Sequence, residues 1–256
     1  MNDQLHHATG GYKTAADTYV KGRPDYPPQV SDWLSATLGL DDHQTVIDLG
    51  AGTGKFTGRL VATGAQVIAV EPVAQMLEKL ADAWPQVLAV HGTATDLPLP
   101  DASVDVVVCA QAFHWFASAE ALTEIARVLK PGGRLGLIWN LRDTRVSWVP
   151  KLDAIVNALE GDTPRYYTGE WRKAFPHPAF GPLQVQQFHN GHTGSAEDVL
   201  FNRVRSTSFI ASLPEVQRAR VDEQIQALIS SEPELRGRDV VTVPYETAAF
   251  VAVKGN

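Results

Sequence analysis

Cysteine, basic charge and long apolar runs are all scarce in this chain of 256 residues. The one cysteine, Cys109, cannot form an internal disulfide, and a metal site built from several thiolates is excluded. No apolar stretch approaches the ~20 residues that a membrane-spanning helix needs. The first residues, MNDQLHHATGGYK, lack the charged-then-apolar pattern of a signal peptide. These absences predict a soluble, cytoplasmic protein with no membrane partner.

The deficit of basic charge limits the class of partner. The chain has 22 Lys and Arg against 29 Asp and Glu, which gives a formal net charge of -7. A general nucleic-acid binder needs clustered basic surface to contact phosphates, so this balance argues against a nucleic-acid partner. It remains compatible with a small anionic substrate. Apolar residues make up 44% of the chain, enough for a sizeable core in one globular unit, either a monomer or a homodimer subunit.

Residues 44–140 alternate short apolar, β-branched runs with helical stretches. Near-continuous runs of Val, Ile and Leu are typical of strands buried on both faces of a sheet. Such runs occupy residues 45–49, 66–70, 87–90, 104–108 and 134–139. Helices are predicted between them at about 55–63, 73–83 and 119–129, the last one ended by a turn at 131–133. This alternation predicts an α/β fold with a doubly wound, mostly parallel sheet.

The flanking regions complete the predicted organisation. Residues 1–43 are interpreted as an N-terminal helical lid, with a break at 23–28 and a helix at 29–38. Residues 141–256 are interpreted as a substrate cap plus the last sheet strands, with a helix at 148–159 and two helices within 195–231. Strands at 184–188 and 247–253 bring the sheet to seven, and the second of them is expected to form an antiparallel edge of the sheet.

A glycine-rich loop follows the first predicted strand. Residues 46–56 read VIDLGAGTGKF, and glycines at 50, 52 and 54 allow a ligand to approach the backbone closely. A phosphate-binding P-loop is excluded, because Phe56 stands where Ser or Thr is required. A dinucleotide site is disfavoured by Lys55, where a small residue is needed. An S-adenosylmethionine loop fits, and a purely structural turn is the remaining alternative.

An acidic residue, Glu71, ends the second predicted strand about 20 residues beyond this loop. A carboxylate at that position is placed to accept both hydroxyl groups of a ribose. The alternative is a solvated acid at a strand end. Because the glycine loop and Glu71 occur together, the pair favours a nucleoside-binding sheet.

With these motifs in order, the chain resembles the class I S-adenosylmethionine-dependent methyltransferases, in particular the small-molecule group that includes trans-aconitate-type enzymes. The resemblance rests on residues 46–56, 67–77, 91–108 and 129–138. RPDYP at 23–27 and FHW at 113–115 match this group as well, so the resemblance covers about residues 12–140. It implies a Rossmann-like methyltransferase fold, S-adenosylmethionine as cofactor, S-adenosylhomocysteine as product and a small-molecule acceptor.

The resemblance also implies which residues hold the cofactor. Asp48 would orient the loop and the cofactor's amino group, Glu71 would hold the ribose, and Thr93 stands where the family often has Asp against the adenine amino group. The implied cofactor-binding residues are Tyr19, Arg23, Asp48, Gly50, Ala51, Gly52, Glu71, Pro72, Met76, Thr93, Ala94, Cys109, Ala110 and Gln111.

Methyl transfer from a sulfonium mainly requires alignment of the nucleophile and exclusion of water. His114 is the candidate catalytic residue, as a base or a cation, and a structural hydrogen-bonding role is the alternative. Arg142 can clamp an anionic substrate or be a solvated loop residue. The expected substrate-binding residues are Tyr12, His114, Trp115, Trp139, Asn140 and Arg142.

The sequence therefore predicts methyl transfer to a small molecule, with oxygen as the expected acceptor atom. The amino-methylation signature (Asn/Asp)-Pro-Pro-(Tyr/Phe) is missing, because residues 109–112 read CAQA. Alternatives are a non-methylating enzyme or a non-catalytic binding protein on the same fold, with a nicotinamide dehydrogenase disfavoured by Lys55. No set of histidines has the spacing of a catalytic metal site, so no metal is expected.

Overall fold

A seven-stranded sheet runs through the computed structural model, which describes residues 22–255. Its strands lie in the order β3-β2-β1-β4-β5-β7-β6. They are β1 Thr45–Leu49, β2 Gln66–Val70, β3 Leu88–Val90, β4 Val104–Ala110, β5 Leu129–Arg142, β6 Gln184–Gly194 and β7 Val241–Val253. The first five strands pair in parallel with one another. The prediction of a seven-stranded, mostly parallel sheet is confirmed.

The last strand runs against its neighbour β5. At one end of β5 the backbone N–H of Asp143 donates to the Pro244 carbonyl at 2.9 Å. At the other end the Lys254 N–H donates to the Gly133 carbonyl at 2.8 Å. The strand β7 is therefore antiparallel to β5, as predicted. The prediction that it forms the edge of the sheet is wrong, because β6 lies outside it.

Four of the eight helices in the described chain have nine or more residues, and the other four have five or fewer. They are α1 Gln29–Asp32, α2 Thr57–Val61, α3 Ala74–Ala83, α4 Ala119–Val128, α5 Val149–Asn157, α6 Arg203–Arg205, α7 Ser208–Ala211 and α8 Glu215–Ser231. Stretches of π-helix at Trp33–Thr37 and Glu197–Asn202 continue α1 and precede α6. Single turns of 3₁₀-helix cover Phe113–Trp115 and Glu170–Ala174. No helix within residues 22–255 combines the length and apolarity of a membrane span.

Two predicted boundaries need correction. The turn predicted at 131–133 belongs to β5, which begins at Leu129 directly after α4. Gly132 takes a left-handed φ of 73° there, and Gly133 accepts from Lys254 on the far side of the strand. The helix predicted from residue 55 begins at Thr57, because the glycine loop keeps the preceding residues out of a helix.

The chain divides into two compact units. The core unit comprises Pro28–Trp139, Pro164–Phe188 and residues 247–255, and the helical unit comprises residues 22–27, Asn140–Thr163 and His189–Glu246. These limits differ from the predicted lid, core and cap. Residues 28–43 join the core unit because Trp33 and Leu38 pack so closely on Gly136 that a Cβ there would meet them at 2.9–3.0 Å.

Residues 164–188 join the core unit through an aromatic cluster. The ring of Trp171 lies 4.8 Å from that of Trp139 and 5.2 Å from that of Phe250, and Tyr166 stacks on Trp171 at 5.6 Å. Trp139 and Trp171 are 1% and 2% exposed, so both are core residues. The helical unit has a core of its own, in which α5, α7 and α8 bury aliphatic side chains such as Leu152, Ile210 and Ile225.

Candidate active site

The glycine loop connects β1 to α2 with three left-handed residues. Gly50, Gly52 and Gly54 have φ values of 72°, 58° and 84°. A Cβ on Gly50 would stand 2.7 Å from the Cβ of Ala112, so only glycine fits there. A Cβ on Gly52 would find its nearest neighbour, Sδ of Met76, 4.0 Å away. The loop is thus closely packed at Gly50 and leaves space beside Gly52.

Asp48 has a buried carboxyl group, and one of its oxygens lacks a hydrogen-bond partner among the described residues. Its side chain is 1% exposed, and Oδ2 accepts from Oγ1 of Thr57 at 2.7 Å. Oδ1 is buried and has no hydrogen-bond partner within residues 22–255. Burial raises the pKa of Asp48 to about 7, the Thr57 hydroxyl opposes this, and the charge of Glu71 adds to it. An ammonium group would satisfy Oδ1 and restore the charge, so the site fits the amino group of S-adenosylmethionine.

Glu71 is fixed by the backbone on both of its oxygens. Oε2 accepts from the Gly52 N–H at 2.9 Å and Oε1 from the Val73 N–H at 3.0 Å. Burial raises the pKa of this carboxyl group and the two backbone N–H groups oppose the rise. Each carboxylate oxygen has a second lone pair, so two ribose hydroxyls can still donate to it. The Glu71 geometry fits the role that the family resemblance implies.

Of the residues expected around the adenine, Pro72 lies on the loop after β2, Met76 on α3, and Thr93 and Ala94 on the loop after β3. The backbones of Thr93 and Asp96 exchange N–H···O bonds at 3.3 Å, which closes a tight turn over the buried Ala94. Oγ1 of Thr93 lies 3.4 Å from Oγ1 of Thr95. Nε2 of His91 lies 3.1 Å from the Pro72 carbonyl and links the two loops.

Arg127 on α4 holds the segment that follows this turn, a role the sequence analysis missed. Its guanidinium donates to the carbonyls of Leu97 and Leu99 at 2.9 and 2.8 Å, and to both oxygens of Glu124. Glu124 in turn accepts from the Leu97 N–H at 2.8 Å. An Arg three residues after a Glu on a predicted helix was the available signal. Sequence spacing cannot tell such a loop clamp from a surface ion pair.

The carboxyl end of β4 carries a strained residue. Gln111 has a φ of 56°, in the left-handed region that non-glycine residues rarely occupy, and its N–H donates to the Ile138 carbonyl at 2.8 Å. Cys109 is fully buried, and burial followed by the charge of Asp48 raises the pKa of its thiol well above the ordinary value. Cys109 is therefore a neutral thiol that packs in the sheet, with Ala110 and Gln111 beyond it.

His114 receives a hydrogen bond that fixes its tautomer. Nε1 of Trp139, on β5, lies 3.1 Å from Nδ1 of His114. An indole N–H can only donate, so Nδ1 accepts and the neutral ring carries its proton on Nε2. His114 is therefore a hydrogen-bond donor, and it could take up a proton on Nδ1 only by giving up the bond from Trp139. Trp115 lies beside it, with 5.3 Å between the two rings.

Three predicted residues belong to the helical unit. Nη2 of Arg23 donates to the Ser206 carbonyl at 3.2 Å, and Nδ2 of Asn140 donates to the Asp25 carbonyl at the same distance. Nη1 of Arg142 lies 3.0 Å from Oδ1 of Asp153. Tyr12 and Tyr19 lie outside the described residues. Within residues 22–255 no group of three or more His, Cys, Asp or Glu side chains could hold a metal ion.

Known proteins share both the sequence and the fold of this chain. Residues 47–137 match the family model described as a methyltransferase domain. A methyltransferase-like protein of Schizosaccharomyces pombe is 38% identical over 244 residues, which covers 95% of each chain. An uncharacterised methyltransferase of Mycobacterium tuberculosis is 41% identical over 243 residues, or 94% of each chain. This chain belongs to the methyltransferase family.

The structural comparison agrees with this family. A solved structure from Anaeromyxobacter dehalogenans, described as that of a type II methyltransferase, superimposes on this chain with a TM-score of 0.62 at 22% identity. The superposition covers 91% of this chain and 97% of the other. At this level of identity the likeness concerns the fold. The sheet described above is the Rossmann-like sheet expected of a methyltransferase. The enzyme class expected from the sequence is confirmed.

Proposed function

We propose that this methyltransferase transfers the methyl group of S-adenosylmethionine to an oxygen atom of a small molecule, with a carboxylate as the acceptor and S-adenosylhomocysteine as the product. The bound cofactor supplies a methyl group that is already activated on a sulfonium. Asp48 and Glu71 bind its amino and ribose groups, and the loop at Gly50–Gly52 admits it close to the backbone. A cofactor-binding role for Arg23, Thr93, Ala94 and Gln111 is part of the same proposal.

The choice of a carboxylate as methyl acceptor rests on the hydrogen bond from Trp139 to His114. A phenol or an alcohol must lose a proton during transfer and therefore needs a base. A carboxylate is already ionised at neutral pH and needs only hydrogen-bond donors or cations to align it. Because Nδ1 of His114 is occupied by the indole, this ring is suited to donate to an acceptor from Nε2. The proposal therefore assigns His114 to binding and alignment.

Calorimetric titration of the purified protein with S-adenosylmethionine and S-adenosylhomocysteine tests the cofactor. We expect micromolar dissociation constants that are lost in Glu71→Ala and kept in Glu78→Ala, an exposed residue on α3. A library of carboxylic acids and phenols is then screened for release of S-adenosylhomocysteine at neutral pH. Turnover with carboxylates supports the proposal. Turnover with phenols alone overturns the choice of acceptor, and absence of cofactor binding overturns the whole proposal.

A further inference from the structure

Arginine side chains from three separate segments of the helical unit are close enough for the charges of two of them to act on the third. Arg23 precedes the sheet, Arg142 ends β5, and Arg203 begins α6. A Cβ on Gly22 would stand 2.5 Å from the Asn202 carbonyl oxygen and 2.8 Å from the Arg203 nitrogen. This contact, which only glycine permits, fixes the backbone before Arg23 directly against Arg203.

Two of these guanidinium groups keep hydrogen-bonding capacity that the described residues do not use. Nε of Arg203 is buried without a hydrogen-bond partner among the described residues, and Nη1 donates to Oγ1 of Thr207 at 3.3 Å. The Arg142 side chain is 7% exposed, and its Nη1 lies 3.0 Å from Asp153 without being aligned to donate a hydrogen bond. A guanidinium offers five N–H donors in a planar fork, so both groups can still take a ligand.

Arg142 has Asp153 as a counter-ion, whereas the charge of Arg203 is poorly compensated. Burial, together with the charges of Arg23 and Arg142, lowers the pKa of Arg203 to about 10, and Tyr245 opposes this shift. No carboxylate acts on Arg203 among the groups of the described chain. Buried cations are costly unless they are paired, so this arrangement is costly in the protein alone. An anion among the three side chains would offset that cost.

We propose that Arg203, Arg142 and Arg23, with the hydroxyl of Tyr245, form a receptor for one carboxylate group. Planar guanidinium groups bind carboxylates through paired N–H···O bonds, and a tyrosine hydroxyl adds a third donor. The carboxylate belongs either to the methionine part of the cofactor or to the acceptor molecule. The inference rests on the proposed function for these two ligands, and Arg203 and Tyr245 were singled out by neither the sequence nor the family resemblance.

The experiment compares Arg203→Met with Arg218→Met, which removes the same charge from an exposed position on α8. Calorimetry measures binding of S-adenosylhomocysteine, of 5′-methylthioadenosine, which lacks the amino-acid carboxylate, and of acetate, succinate and citrate. Thermal unfolding without ligand is measured in parallel. We expect Arg203→Met to unfold at or above the wild-type temperature and to weaken one class of ligand about 10- to 100-fold, as loss of a charge-assisted pair predicts.

The ligand that loses affinity identifies the source of the carboxylate. If Arg203→Met weakens binding of S-adenosylhomocysteine but not of 5′-methylthioadenosine, the receptor binds the carboxylate of the cofactor. Weaker binding of a free carboxylate with unchanged S-adenosylhomocysteine assigns it to the acceptor. Tyr245→Phe should lower the affinity for the same ligand about 3- to 10-fold, as loss of one hydrogen bond predicts. Equal affinities for all ligands in Arg203→Met and Arg218→Met overturn the receptor, whereas a wild-type protein that binds no nucleoside overturns the proposed function instead.

Discussion

The indole N–H of Trp139 donates to Nδ1 of His114 across 3.1 Å, although 25 residues separate the two in the chain. Trp139 is 1% exposed, so without this acceptor its N–H would be buried and unpaired. The bond ties the end of β4 to β5 and leaves His114 as a donor. It also explains why an ionisable side chain at the carboxyl edge of the sheet need not act as a base.

Replacement of His114 separates these roles. His114→Asn keeps a carbonyl oxygen that can accept from the indole, and we expect methyl transfer to fall less than about tenfold. His114→Leu removes the acceptor and should lower the free energy of unfolding by about 1–3 kcal/mol. Initial rates of S-adenosylhomocysteine release and urea unfolding measure both effects. A rate loss of about 10²–10⁴ in His114→Asn, with stability and cofactor affinity unchanged, would instead identify a general base.

The buried carboxyl of Asp48 predicts a dependence of stability on pH. Its pKa is about 7 in the folded protein against 3.8 ordinarily. Between these values the folded protein holds a proton that the unfolded chain has released, so the free energy of unfolding should fall as pH rises from about 4 to about 7. Asp48→Asn cannot ionise, and we expect it to lose this decline and to exceed the wild type in stability at pH 8.

Asp48→Asn should also weaken binding of S-adenosylmethionine, because a neutral amide replaces the charged partner of the cofactor's amino group. Urea unfolding across pH 4–8 and calorimetry with S-adenosylmethionine measure the two effects. Asp82→Asn on α3 is the control, since it makes the same chemical change at an exposed side chain. A parallel pH dependence in wild type and Asp48→Asn would disprove this account of the carboxyl group.

Arg127 should support the cofactor site from a distance. Lysine keeps the charge but cannot reproduce a fork that reaches two carbonyls and Glu124 together. We expect Arg127→Lys to lose about 1–2 kcal/mol of stability and to weaken binding of S-adenosylmethionine through the segment after Thr93–Ala94. Asp101→Asn removes only an 80% exposed partner and should cost less than about 1 kcal/mol. Equal effects of the two substitutions on binding would contradict the clamp.

The sequence predicted most where a residue's role follows from local chain geometry. The apolar runs from β1 to β4 and the glycine loop need only neighbouring residues to define them, and both were placed correctly. Arg127 and Arg203 act on atoms far away in the chain, so no spacing pattern distinguishes them from surface arginines. The start of β5 was misplaced for a similar reason, because Pro131 and Gly132 favour a turn until β7 pairs beside them.

Gln111 has a left-handed backbone conformation, and its replacement by glycine tests whether strain at the end of β4 contributes to function. A non-glycine residue in this region costs about 1–2 kcal/mol, and glycine removes that cost while adding entropy to the unfolded chain. Ala102, in the turn before β4, has a similar φ of 49° and provides a matched position. We expect Gln111→Gly and Ala102→Gly to change stability by the same small amount, within about 1 kcal/mol.

Only Gln111→Gly should impair the enzyme, since Gln111 follows the strand that leads to the cofactor and Ala102 does not. Calorimetry with S-adenosylhomocysteine, together with initial rates, compares the two variants against the wild type. A selective loss in Gln111→Gly means that the strained backbone orients the end of β4, in keeping with the concentration of such residues at functional sites. If Gln111→Gly binds and turns over like Ala102→Gly, the strain is a consequence of the turn into Phe113–Trp115 and makes no contribution to catalysis.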